Sequence, residues 1–220
     1  MDKIKIINNF IEEEDAIFLI DWIDKNSHKD NLFRKRIGVA FNEGIALRAV
    51  FPDEKAPNLF KDLENVINKY SKKFIKFLND EYNLKENLYF YGVSITKLSE
   101  GIQLRMHQDI HNSFASLNWS CVIYLNEDYS GGEVTFVNNF NKKEFISSKY
   151  DSNFYLYSDI NNGFVFKPKS FDAIVFPADQ WHGGKKINSG VKYAIILWSV
   201  KEKEYEFEGF ESERIWDNAK

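Results

Sequence analysis

From about Leu88 onward the chain breaks into short β-rich runs, and nothing else in the sequence restricts its fold as strongly. "LYFYGVSITKL", "WSCVIYL", "GEVTFV", "FYLYSDI", "GFVFK", "DAIVF" and "KYAIILW" follow one another, parted by turn material such as "NEDYSGG", "DINNG" and "INSG". Branched and aromatic side chains fit a pleated, half-buried surface, while Gly, Asn, Asp and Ser supply the turn conformations between. Many short strands at near-regular spacing suggest a sandwich or jelly roll.

The period ahead of these runs is different. "IKIINNF" reads as a short strand that runs into "EEEDAIFLIDWIDKN", where Ile17, Leu19, Ile20 and Ile23 give a helical stripe behind an acidic first turn. From Pro57, a good first-turn residue, Leu59, Leu63, Val66, Ile67, Tyr70, Phe74 and Leu78 recur at three- and four-residue spacing. That pattern predicts a long amphipathic helix of about six turns. The expected fold class is therefore α+β: a double-stranded β-helix (jelly-roll) core with N-terminal helices packed on one sheet. One domain is expected over 1–220, with a helical support region at 1–87, the jelly-roll core at 88–200 and a C-terminal tail at 201–220.

Composition removes several function classes. A content of 44% hydrophobic residues, with 20 Phe and 11 Tyr, argues against disorder. The net charge is −4, and the basic runs "RKR" at 34–36 and "KK" at 72–73 are too short for a phosphate-tracking groove, so no nucleic-acid partner is expected. The single cysteine, Cys121, cannot close an intramolecular disulfide and lies in the apolar run "SCVIYL", which reads as core. The N-terminus carries no apolar run suited to secretion, and no stretch is long enough to span a bilayer. A cytoplasmic, reducing location with no membrane partner is the expectation, and it would keep a ferrous site reduced.

Only four histidines are present: His28, His107, His111 and His182. "RMHQDIHNS" places His107, Asp109 and His111 within five residues. In an extended segment His107 and Asp109 leave the same face, so imidazole and carboxylate can converge on one ion. Alone, such a pair is more often surface polarity. Downstream, "FPADQWHGG" sets His182 directly after the strand-like "DAIVF". By itself it would read as a turn histidine. Combined with His107 and Asp109, it completes the two-histidine, one-carboxylate set that leaves positions open on a non-haem Fe(II) ion. Ten residues further on, Lys192 opens the apolar strand "VKYAIILW". It is either an edge lysine snorkelling to water or a cation held inside the barrel for a carboxylate.

Together these pieces resemble the Fe(II)/2-oxoglutarate-dependent dioxygenases, and within them the prolyl 4-hydroxylase-like branch. The family pattern is HxD, a distant His, and a basic residue about ten positions later; here it falls on His107, Asp109, His182 and Lys192. "LSEGIQLRMHQD", "VIYLNEDYSGGEVTF" and "FKPKSFDAIVF" match the text around that pattern, and the resemblance spans roughly Leu88 to Trp198. The chain departs from the pattern at Leu98, where a tyrosine is usual, and at Leu104, where many relatives carry an aromatic. A lysine at the basic position is similar to the collagen-type prolyl hydroxylases.

The resemblance implies that His107, Asp109 and His182 hold Fe(II), with 2-oxoglutarate and O2 as co-substrates and ascorbate as an optional further cofactor. It implies that Lys192 receives the far carboxylate of 2-oxoglutarate, helped by the hydroxyls of Tyr124 and Thr135. The reaction implied is hydroxylation of an unactivated C–H bond, in a prolyl residue of a peptide or protein, with release of succinate and CO2. A free amino acid or other small metabolite is the alternative substrate, and a non-catalytic metal- or carbohydrate-binding jelly roll is the alternative class. Such a module has no use for Lys192. His111 is expected at the pocket mouth, His28 at an exposed helix end, Trp181 beside the substrate, Trp198 in the core or at the rim, and Gly131 and Gly132 in a turn.

Overall fold

The strand at the centre of the molecule is the last, β13 (Val191–Val200), and its sequence shows why. "VKYAIILWSV" is buried along nearly its whole length, as a strand covered on both faces must be. In the computed structural model, which describes residues 3–28, 34–35, 46–51, 62–84, 87–110, 117–137 and 163–203, β13 pairs antiparallel with β6 (Leu117–Tyr124) on one side and β4 (Tyr89–Ser99) on the other. The sheet continues outward through β10 (Ala173–Pro177) to β1 (Lys5–Ile7). On the other edge it runs through β3 (Ala46–Phe51) to β2 (Arg34–Lys35), giving seven strands in the order β1-β10-β6-β13-β4-β3-β2. A second sheet has the order β5-β11-β8-β9, built from β5 (Leu104–His107), β11 (Trp181–Gly184), β8 (Val134–Val137) and β9 (Phe164–Phe166). Two short pieces, β7 (Ser130–Gly131) and β12 (Ile187–Ser189), pair as a small third sheet.

Strand alternation divides the large sheet into two faces. Tyr193, Ile195 and Leu197, with Trp119, Cys121 and Ile123 of β6, pack on the helices. Ala194, Tyr124, Ile174 and Phe176 turn the other way and meet Val134 and Phe136 of the second sheet. This is the jelly-roll interior, and Lys192 and Trp198 share that parity on β13.

The helix face is covered by α1 (Glu13–Asn26) and α2 (Glu64–Tyr82). Glu13, Glu14 and Asp15 sit in the first turn of α1, where carboxylates oppose the positive end of the helix dipole. The buried stripe of α1 is Ala16, Leu19, Trp22, Ile23 and Asn26; Ile17, assigned to the stripe from spacing, is half exposed. Helix α2 buries Ile67, Tyr70, Phe74 and Leu78 as its spacing predicts, and ends at Asn83 in the left-handed conformation. The hydroxyl of Tyr70 joins the two helices. It donates to Asp15 Oδ2 at 2.6 Å and accepts from the backbone N–H of Glu12 at 2.9 Å, satisfying one of the donors a helix start leaves open.

"IKIINNF" carries β1, and six of the seven strands read from Leu88 onward coincide with β4, β6, β8, β9, β10 and β13. The seventh, "FYLYSDI", and the helix start at Pro57 and Leu59 lie outside the described residues. The turn segments "NEDYSGG" and "INSG" prove to carry β7 and β12. No helix among the described residues is long and apolar enough to cross a membrane.

Candidate metal centre

His107 closes β5 and His182 lies on β11, in the register that sets the two residues directly opposite each other. Opposed residues of an antiparallel pair project to the same face, so the imidazoles stand together with ring centroids 4.2 Å apart. His182 is on a strand, not in the turn its isolated reading suggested. Across its other edge it faces Phe136, and Phe176 packs 4.6 Å from its ring.

Asp109 arrives differently. The strand has ended at His107, and the next segment is turned by one carbonyl: Ala178 O accepts from the backbone N–H of both Asp109, at 2.9 Å, and Ile110, at 3.2 Å. This aims the carboxylate back at the histidines. Its Oδ1 lies 3.7 Å from His107 Nε2 and 3.9 Å from His182 Nε2. Its Oδ2 is already held, accepting from Ser120 Oγ at 2.5 Å and Trp198 Nε1 at 3.3 Å. Burial alone would raise the carboxyl pKa, but both imidazoles and these two donors outweigh it and hold the pKa below the ordinary value.

His182 Nδ1 lies 2.9 Å from Gln180 O. A carbonyl can only accept, so Nδ1 carries the proton and Nε2 presents a lone pair on the side of Asp109. One ligand atom from each of the three residues falls within 4.8 Å of the others, the size of a single-ion site. Two imidazoles and a carboxylate on one side of an ion form the facial set suited to Fe(II), and outer partners orient such ligands: here Ser120 and Trp198 donate to Asp109, and the Gln180 carbonyl accepts from His182.

At the far end of the interior, Lys192 is 4% exposed and its ammonium donates to Gly132 O at 2.8 Å. Gly132, with φ +67°, and Gly131, with φ +74°, form the left-handed turn expected of them. The Lys192 Nζ stands 4.9 Å from the centroid of the Tyr124 ring. No carboxylate among the described residues pairs with it. Burial, then the charge of Lys167, pulls its pKa down to about 7 against the opposing pull of Glu133. The Tyr124 hydroxyl is buried and has no hydrogen-bond partner. A buried ammonium beside a buried hydroxyl gives this end of the interior the donors that suit an anion.

Thr135 is not part of this group. Its neighbour Phe136 turns inward to His182 and Phe176, so alternation sends Thr135 outward. A Cβ built on Gly163 would lie 2.5 Å from Thr135 Cγ2; Thr135 is fully buried there, and its own hydroxyl has no hydrogen-bond partner among the described residues. The sequence reading had placed the threonine one strand parity away from where it lies. His111 lies outside the described residues, and His28 is exposed in the turn after α1. Ser120 and Gln180 were missed by sequence reasoning. Ser120 could have been found by parity with Tyr124 on one strand, whereas Gln180 acts through a backbone carbonyl and leaves no signal.

No family model matches the sequence, and no curated protein matches it. Solved structures do. An oxidoreductase of the 2OG-Fe(II) oxygenase family from Burkholderia pseudomallei superimposes with TM-score 0.64 at 11% identity, covering 91% of this chain and 86% of its own. The viral collagen prolyl hydroxylase of Paramecium Bursaria Chlorella virus-1, in its 2OG complex, gives 0.59 at 17% identity, over 91% and 97%. A Trichoplax adhaerens prolyl hydroxylase, in complex with a hypoxia inducible factor oxygen degradation domain peptide fragment, gives 0.62 at 15% identity, over 93% and 86%. The α+β jelly roll of this chain is the fold these oxygenases share.

Proposed function

We propose, from the fold shared with the 2OG-Fe(II) oxygenases, that this chain is an Fe(II)- and 2-oxoglutarate-dependent dioxygenase that hydroxylates a prolyl residue in a peptide or protein. The observation that carries the reading is the pairing of two complementary ends in one interior. A His107–Asp109–His182 donor set stands at one end; at the other stand the Lys192 ammonium, bonded to Gly132 O but to no carboxylate among the described residues, and the Tyr124 hydroxyl, without a hydrogen-bond partner among them. A binding module would gain nothing from the second end. The prolyl substrate is proposed because two of the similar structures are prolyl hydroxylases, one of them holding a peptide.

Fe(II), when bound, supplies with 2-oxoglutarate and O2 the oxidative chemistry that hydroxylates a C–H bond and releases succinate and CO2. The protein's own part is positioning. His107, Asp109 and His182 would hold the metal through Nε2, Oδ1 and Nε2. Ser120 and Trp198 keep Asp109 from turning, and Gln180 keeps His182 in the tautomer that can ligate. Lys192 would receive the distal carboxylate as a point charge and Tyr124 would donate to it. Phe136 and Phe176 wall the interior and keep water from it. Trp181, on the metal strand, is the proposed neighbour of the substrate.

The test is an anaerobic titration of apo-protein with Fe(II) and 2-oxoglutarate, following the visible metal-to-ligand charge-transfer band. Wild type should give the band, His182→Ala should lose it, and Lys192→Ala should need much more 2-oxoglutarate to reach it. Absence of the band in well-folded wild type overturns the reading. Succinate release with prolyl peptides against free amino acids then separates the two substrate classes.

A further inference from the structure

The anion end of the interior contains a second phenol that neither the motif pattern nor the proposed machinery has used. Directly across from Lys192 in the β13–β4 register stands Leu98, a side chain with no polar atom, so that neighbour leaves the lysine's ligand unaided. In the same apolar cluster as Leu98, however, is Tyr129. Its ring centroid lies 5.7 Å from Lys192 Nζ. Its hydroxyl, like that of Tyr124, is buried and has no hydrogen-bond partner among the described residues. Buried hydroxyls in folded proteins are almost always satisfied, and leaving one unmade is costly.

The ring is also held more tightly than a filler would need. A Cβ at Gly132 would come within 3.0 Å of Tyr129 Cε2, and one at Gly190 within 3.0 Å of its Cα; both glycines have positive φ. The ammonium of Lys167 stands 4.0 Å from the ring centroid while it donates to the carbonyls of Tyr129, at 3.2 Å, and Gly131, at 2.9 Å. Two lysines therefore flank one phenol. Burial and the nearby acidic groups Glu133, Glu127 and Asp128 raise its pKa, so the hydroxyl keeps its proton and remains a donor.

We propose that Tyr129 is a further binding residue for the co-substrate, its hydroxyl donating with that of Tyr124 to the carboxylate that Lys192 receives. The inference rests on the proposed dioxygenase reading and adds to it a specificity element for the dicarboxylate. Lys192 would supply the charge, and the two hydroxyls would fix where the carboxylate oxygens sit. A 2-oxo acid without a distal carboxylate would leave both hydroxyls unpaired.

The experiment compares wild type with Tyr129→Phe, loaded anaerobically with Fe(II). It measures binding of 2-oxoglutarate and of 2-oxobutyrate, which keeps the metal-chelating end and lacks the distal carboxylate. We expect Tyr129→Phe to bind 2-oxoglutarate about tenfold more weakly, to bind 2-oxobutyrate as wild type does, and to melt no lower than wild type without ligand. Unchanged 2-oxoglutarate affinity, or equal loss for both acids, overturns the role of Tyr129 and leaves the dioxygenase reading standing. Failure of wild type to bind 2-oxoglutarate at all overturns both.

Discussion

Lys192 carries its ammonium in a buried site, and its titration should show it. The groups near it are Lys167, Glu133, Tyr124 and Tyr129; burial first and Lys167 second depress its pKa to about 7. In the unfolded chain a lysine titrates near ~10.4. Between those two values the unfolded state binds more protons than the native state, so stability rises with pH across the window. As pH falls toward 7 that stability is lost, by an amount on the order of a few kcal/mol, and below 7 the deficit stays constant. Ligand-free wild type should therefore gain melting temperature relative to Lys192→Met between pH 7 and pH 9. A difference that does not change with pH would mean that Lys192 stays charged in the folded protein. At the same scale, Ser120 and Trp198 show how much of the candidate metal site lies outside its three donor residues, since both hold Asp109 Oδ2 and leave Oδ1 toward the histidines.

Among the elements, the turn that joins β7 to β8 carries the end of the interior where Lys192 lies. Gly132 provides the carbonyl that Lys192 grips, and Gly131 makes the turn possible. At Gly131 the backbone is left-handed, and an added Cβ would lie 2.1 Å from the carbonyl oxygen of Lys186, a backbone atom that cannot swing aside. Gly131→Ala should therefore destabilise the protein by more than about 2 kcal/mol in urea unfolding, and weaken 2-oxoglutarate binding by displacing Gly132. A stable variant with wild-type affinity would show that the turn is not coupled to the site. Strand β11 makes a related use of glycine. "WHGG" has poor strand composition, yet Cβ atoms on Gly183 and Gly184 would press on Met106 Sδ at 2.7 Å and Leu104 Cβ at 3.3 Å. The glycines let β11 lie close against β5, which is what brings His182 beside His107.

For the molecule as a whole, the helices support the large sheet on the face opposite the candidate site. Phe74 is fully buried between α2 and that sheet. Truncating it should cost about 3–5 kcal/mol, a large part of the ~5–15 kcal/mol available to a domain. We expect Phe74→Ala to unfold at markedly lower urea concentration, while the fraction still native binds 2-oxoglutarate as wild type does, because Phe74 and Lys192 lie on opposite faces of one sheet. A large loss of affinity in the native fraction would show that the helices also shape the interior.

The sequence by itself determined the order and period of the elements and the chemical identities at the centre. Runs such as "DAIVF" and "KYAIILW" carry strand character in their own side chains, and the stripe from Ile67 to Leu78 carries helix character, because period and propensity are local properties. The spacing of His107, Asp109, His182 and Lys192 was legible for the same reason: it is a property of the chain alone. Only the tertiary structure decided which face each residue takes and what completes its environment. Whether Ile17 is buried depends on which side of α1 meets the sheet. Whether Thr135 faces the interior depends on a parity that one residue of slip reverses. The burial of Lys192 follows from β13 being a central strand, and the aim of Asp109 from Ala178 O, an acceptor 69 positions away along the chain. Backbone acceptors have no side-chain signature, and register is an agreement between distant segments, so neither can be read from one stretch of sequence.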